Sequence, residues 1–165
     1  MSYKKDKAIE ASAWIVMSLI LYKFVPRNKF REAQLAFLFK QVITWIFGLI
    51  VVENGIIKYP HRLFFKKANK ASFTFEFFIL PAFCSLFNIY YPEQKHQIYK
   101  VLHYAFYTSI IVILEIYAIK STNLIKYKKW TWYWSYITIM ISYYISRLYY
   151  RWFFRYNNSQ PIMKI

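Results

Sequence analysis

Among the ionisable residues inside hydrophobic runs of this sequence, six are its first candidates for chemistry: Lys40, Glu53, Glu76, His103, Glu115 and Arg147. A charge among apolar residues is expensive, and such groups mark polar pathways, proton relays or paired cores of helical bundles. Glu76 falls in "SFTFEFFILPAFCSLFN", Ser72 to Asn88, with Pro81 just over one turn further on. Pro81 has no backbone N–H, so it frees the carbonyl near Phe77 and is a candidate kink. A membrane helix tolerates that break when a neighbour or water satisfies the freed group. A kink beside a carboxylate could line a cavity, although bending a helix for packing is the commoner use of such a proline.

The elements that must position these groups are five hydrophobic runs, at about 8–25, 33–57, 71–91, 99–119 and 130–152. A helix needs roughly 20 mostly apolar residues to cross a bilayer. Composition points the same way. Hydrophobic residues make up 58% of the 165 and aromatics 24%, with only two glycines, which is more apolar surface than one soluble core of this size can hide. The fold expected is therefore all-α: a single membrane-embedded helical bundle over 1–165 with about five transmembrane helices. The first run is the weakest. The basic "MSYKKDK" before it also suits a signal peptide, but no cleavage site follows, and an uncleaved span is expected. "SFTFEF" alternates like a strand, but one short alternating run cannot cross a bilayer, so helix is expected there too.

Net charge is +16, from 23 Lys and Arg against 7 acids. The basic residues punctuate the hydrophobic runs as loop anchors do, which argues for topology signals at a lipid bilayer rather than a nucleic-acid face. Let side A hold the N-terminus. With five crossings, Glu10, Glu53, Glu76 and Glu115 all fall toward side A, while Lys40, His103 and Arg147 fall toward side B. The outer members of each layer can snorkel to the headgroups. Glu76 and Lys40 are deeper, about 7 Å and 10 Å from opposite ends at 1.5 Å per residue. That leaves an axial gap of roughly 12 Å in a core ~30 Å thick, so a direct Lys40–Glu76 pair needs tilted helices. Pairing of Glu76 with Lys70, or protonation of Glu76 to the neutral acid, is the duller alternative.

Three stripes of small or polar residues suit helix–helix contact: Gln34, Gln41, Thr44 and Gly48; Tyr104, Thr108 and Glu115; Ser135, Thr138, Ser142 and Ser146. Packing is the first reading of all three. The aromatic belt "WTWYW" at Trp130–Trp134 anchors one end of the fifth run in the headgroup layer. At its other end Arg147, Arg151 and Arg155 recur every four residues and are candidate contacts for anionic lipid headgroups, with simple topology anchoring as the plainer role.

No metalloprotease, phosphate-loop or nucleophile-elbow motif is present. Cys84 is the only cysteine, and His61, His96 and His103 lack ligand spacing, so neither cofactor nor metal is expected. Asn157-Asn158-Ser159 matches a glycosylation sequon, a weak signal in a polar tail. Side A carries twelve Lys and Arg to ten on side B, which places the N-terminus in the cytoplasm. Without the first span that vote reverses.

Three segments, "REAQLAFLFKQVITWIFGLIVVENGIIKYPHRLF", "ANKASFTFEFFILPAFCSLFNIYYPE" and "WTWYWSYITIMISYYISRLYYRWFF", resemble an uncharacterised family of small multi-spanning membrane proteins of spore-forming Firmicutes. The resemblance covers residues 31–154 and implies a bacterial cytoplasmic membrane; it supplies no activity. The expected function is non-enzymatic: an accessory or assembly component with a membrane-protein partner or a second copy of itself. The alternative is a small oligomeric transporter or ion-translocating protein using Glu76, Lys40 and Glu115. A lipid-modifying enzyme would want a cluster of acids, histidines or a nucleophile at one depth, where Glu53, Glu76 and Glu115 could converge, but no local motif supports it.

Overall fold

A computed structural model describes residues 2–61 and 72–157. Among these residues the regular structure is helical apart from one two-residue strand pair. In order come α1 (Ser2–Phe24), a 3₁₀ turn (Arg27–Lys29), α2 (Phe30–Glu53), β1 (Ile57–Lys58), a π-helical segment (Phe73–Ile79) continuing into α3 (Leu80–Ile89), α4 (Gln97–Ser121), β2 (Lys126–Tyr127) and α5 (Trp132–Asn157). These fall on the five hydrophobic runs within a few residues, apart from α1, which begins six residues earlier than expected. The strand-like alternation of "SFTFEF" is overruled: Ser72 Oγ accepts from the Phe75 N–H, and the helix starts there.

The chain runs back and forth, as its end contacts show. At one end β1 pairs antiparallel with β2, Ile57 opposite Tyr127 and Lys58 opposite Lys126, joining the segments that follow α2 and α4. Asp6 near the start of α1 reaches His61 at that same end. At the other end Tyr90, closing α3, donates to the Phe24 carbonyl that closes α1 (2.6 Å), and Tyr150 of α5 donates to Glu32 at the start of α2. The two ends correspond to sides A and B. Helix α2 stops at the A end because Gly55 takes a left-handed φ of 65°, letting the Ile56 N–H return to the Val51 carbonyl at 2.9 Å.

The third helix is the hub, in contact with α1, α2, α4 and α5. Every residue of α3 but Phe83 is buried. Phe87, fully buried, packs its ring among those of Tyr91, His103, Tyr104, Tyr107 and Tyr143 at centroid distances of 4.7–5.6 Å. Trp14 ties α1 on by stacking on Phe78 at 3.9 Å and donating to Thr74 at 3.1 Å.

Polar and charged side chains share the interior with the apolar core, while many large apolar side chains face outward. Lys40, Thr108 and Ser146 are wholly buried, and Glu76, Glu115, Ser85 and Asn88 nearly so. Meanwhile Ile15, Leu19, Phe106 and Ile113 are 60–64% exposed. Two helices, Arg27–Glu53 and Gln97–Ser121, are long and apolar enough to cross a membrane, with mean hydropathies of 2.1 and 1.6. The third helix is shorter, α1 opens on charged residues, and α5 is rich in Tyr, Trp and Ser, whose polar atoms lower its hydropathy.

Candidate functional site, a cavity holding two carboxylates

The site begins with the break in the third helix. An α-helix would bond the Phe77 carbonyl to the N–H of residue 81, and a π-helix would bond the Glu76 carbonyl to that same group. Pro81 has none. The Leu80 N–H already bonds the Phe75 carbonyl five residues back, so both later carbonyls are left over. Helix α2 satisfies them. Gln41 donates to the Phe77 carbonyl at 2.9 Å and Thr44 to that of Glu76 at 2.6 Å. Lower on the same face, Ser85 donates to the Ala33 carbonyl at 2.9 Å. The polar stripe on α2 is thus the counterpart of the proline break, and packing is what Gln41 and Thr44 do. Gln34, by contrast, is exposed.

One turn beyond Thr44, Gly48 makes room for the Glu76 side chain. A Cβ on Gly48 would stand 1.8 Å from Glu76 Oε2 and 2.2 Å from its carboxyl carbon, so only glycine lets the carboxylate lie there. Tyr59, buried just after β1, donates to Glu76 Oε1 at 2.6 Å. Burial and the adjoining Glu76 push the Tyr59 phenol well above its ordinary pKa and keep it a donor. Glu76 Oε2 has no hydrogen-bond partner among the described residues.

Glu115 comes to the same place from α4. The Ser135 and Tyr127 hydroxyls lie within its reach, and these are bonded to each other at 2.9 Å, while Trp130 Nε1 donates to Ser135 at 2.8 Å. Burial and the adjacent Glu115 raise the Tyr127 phenol's pKa as well. Glu115 Oε2, like Glu76 Oε2, has no hydrogen-bond partner among the described residues. Both acids line one cavity of about 230 Å³ at the A end, between α2, the third helix, α4 and α5. Its remaining walls are mostly apolar, with Phe47, Phe75 and Trp130 among them, and hydroxyls from Thr44, Thr138 and Ser142.

Neither Lys40 nor Arg147 of the opposite layer is bonded to these acids, although Lys40 holds Ser142, a residue of the cavity wall. Lys40 Nζ donates to Ser142 Oγ and sits 4.5 Å above the Tyr143 ring, so the Lys40–Glu76 pair considered from depth alone is not formed. Ser142 of α5 takes the Lys40 ammonium instead and lines the same cavity as Glu76. Arg147 is a correction to its reading as a headgroup contact. It is 8% exposed, bonds Glu93 and the Asn88 carbonyl (3.3 Å), and lies 4.1 Å from the Tyr91 ring centre. Arg151 is exposed and reaches Glu93 at 3.5 Å. Partial burial works to raise the Glu93 pKa, but the Arg147 hydrogen bond and the neighbouring positive charges win and hold it below the usual glutamate value. His103 bonds the Phe87 carbonyl at 3.0 Å within the aromatic cluster.

Glu53 is exposed at the end of α2 and does not join Glu76 and Glu115 at the cavity. Lys70, the Arg155 side chain and residues 158–159 of the sequon lie outside the described residues. Among those described, no group of three or more His, Cys, Asp or Glu could hold a metal ion. Sequence reasoning missed Tyr59, Tyr127 and the cavity role of Trp130. The first two sit in loops whose pairing no periodicity announces, and Trp130 had been read with the belt, where Trp132 and Trp134 remain exposed. No family model, curated protein or solved structure matches this chain.

Proposed function

We propose that this chain is a non-enzymatic, five-span integral membrane protein of a bacterial cytoplasmic membrane that binds a positively charged species between its helices and carries it. Of the two expectations drawn from the sequence, this is the transporter-like one. One observation carries it: Glu76 and Glu115, from different helices, each present at a shared cavity a buried carboxylate oxygen that no described residue partners. A purely structural core gains nothing from such atoms, since each unsatisfied buried acceptor costs about 1–3 kcal/mol and apolar packing would serve better.

Membrane embedding is supported by the polar interior and apolar exterior, which suit lipid as the outer solvent and leave polar side chains to join the helices. The back-and-forth course supports five crossings. The bacterial setting rests on the resemblance, and a cytoplasmic N-terminus on the loop charges. A second copy of the chain is the partner expected of so small a carrier.

The test is charge movement in sealed vesicles carrying the purified protein, on rapid jumps of proton, sodium, potassium or a small organic ammonium ion. A signal from at least one of these, lost in Glu76→Gln, is the expected result. Silence toward all four from folded protein, with a stoichiometric second protein retained on gentle purification from the native membrane, overturns the reading in favour of an accessory component.

A further inference from the structure

We infer that the species taken between Glu76 and Glu115 is an amphipathic organic ammonium ion that enters head-first from the lipid between α2 and α5; this rests on the reading of the site as a cation-binding cavity. The sign of the charge comes from the acids and from what surrounds them. The buried Lys and Arg among the described residues, Lys40 and Arg147, bond Ser142 and Glu93 and not the acids. A guest cation would partner the two free oxygens that no described residue satisfies.

The walls select the kind of cation. An inorganic ion wants a cage of oxygens to replace its water, and a divalent ion takes six or more. Here two carboxylates and a few hydroxyls occupy one part of a cavity whose other walls include the rings of Phe47, Tyr59, Phe75 and Trp130. Aromatic faces with a carboxylate are the surroundings that hold alkylated ammonium groups, through the attraction of the ring quadrupole for a weakly hydrated cation.

Size and exit determine the rest of the molecule. At about 230 Å³ the cavity falls below the roughly 300–1,000 Å³ of sites that enclose a drug-sized ligand. It holds a head group and leaves an apolar tail outside. The exit is visible in the lining: Phe47 on α2 and Ile141 and Ile145 on α5 border the cavity yet are 40%, 53% and 43% exposed. The opening therefore lies on the bundle's apolar outer surface, where a tail would rest in lipid.

The experiment is titration calorimetry on the full chain in lipid nanodiscs, using octyltrimethylammonium below its micellar concentration, octanol as the neutral counterpart, and sodium and potassium. Saturable binding of octyltrimethylammonium alone is expected, weakened roughly 30-fold or more by Glu76→Gln or Glu115→Gln, as for loss of one partner of a buried charge pair. Ile145→Trp, at an exposed position on the mouth, is expected to weaken it similarly with both acids intact, so the result does not depend on the acid variants folding. Equal binding to wild type and all three variants is partition into lipid and overturns the inference. Binding of sodium or potassium that needs Glu76, without binding of the ammonium ion, overturns it while leaving the cation site standing. Binding of neither sinks both.

Discussion

The Thr44 hydroxyl of α2 donates to the main-chain carbonyl of Glu76, an oxygen left over because the Leu80 N–H bonds Phe75 and residue 81 is a proline. A side chain on one helix thus completes a backbone bond missing from another, at the residue that also presents a carboxylate to the cavity. Break and brace form one unit. Thr44→Val should cost about 1–3 kcal/mol, the penalty for a buried acceptor left unmade. In a Pro81→Ala background, where residue 81 regains its N–H, the same change should cost much less. Denaturant unfolding in mild detergent across the four chains measures this; equal costs in both backgrounds would show that Thr44 does not answer the proline.

Gly48→Ala places a methyl group where Glu76 Oε2 now lies. Overpacking of this kind typically costs about 1–3 kcal/mol. Most of the loss should return in Gly48→Ala/Glu76→Ala, which removes the obstructing carboxylate. If thermal unfolding shows the two changes adding, the carboxylate does not rest on Gly48.

Lys40 and Glu76 should behave as independent residues. With Lys40 bound to Ser142 and Glu76 to Tyr59, the effects of Lys40→Met and Glu76→Gln on stability should add within about 0.5 kcal/mol. A coupling well above that would restore the direct pair. Ser142→Ala, by contrast, should couple to Lys40→Met, because it leaves the buried ammonium without its acceptor.

The Glu93–Arg147 contact gives a pH dependence whose sign is fixed. Glu93 has its pKa lowered in the folded chain by Arg147, with Arg151 and Lys100 also facing it. Stability from this group is therefore fully present above the ordinary glutamate value of 4.5 and is lost as pH falls through the lowered folded value. Glu93→Gln should flatten the melting temperature against pH below 4.5 and leave the slope above pH 6 unchanged. Since Glu93 is 40% exposed, the effect should shrink in high salt.

The sequence made the helices legible because each apolar run has a length and a period that only a helix satisfies at that composition. It also made legible that Pro81 frees a carbonyl near Phe77, since that follows from a missing hydrogen, and that the acids share one end, since depth is counted along the chain. It left hidden which helix stands beside which. Depth alone brought Lys40 and Glu76 within conceivable reach, but Ser142 occupies the position that mattered. The four-residue spacing of Arg147 and Arg151 looked like one cationic face, yet Arg147 turns inward because Glu93, Tyr91 and Tyr150 wait there. Tyr59 and Tyr127 were invisible for the same reason. Their meeting with Glu76 and Glu115 depends on two loops far apart in sequence.

Those loops are stitched by the two-residue ladder, with Ile57 opposite Tyr127 and Tyr59 two residues past Ile57. One phenol attends Glu76 and the other Glu115, and both hang from the same short clasp. Parting α2 from α4 at that end would undo the clasp and withdraw both donors in a single movement. The two acids would then change state together, as two bolts thrown by one key.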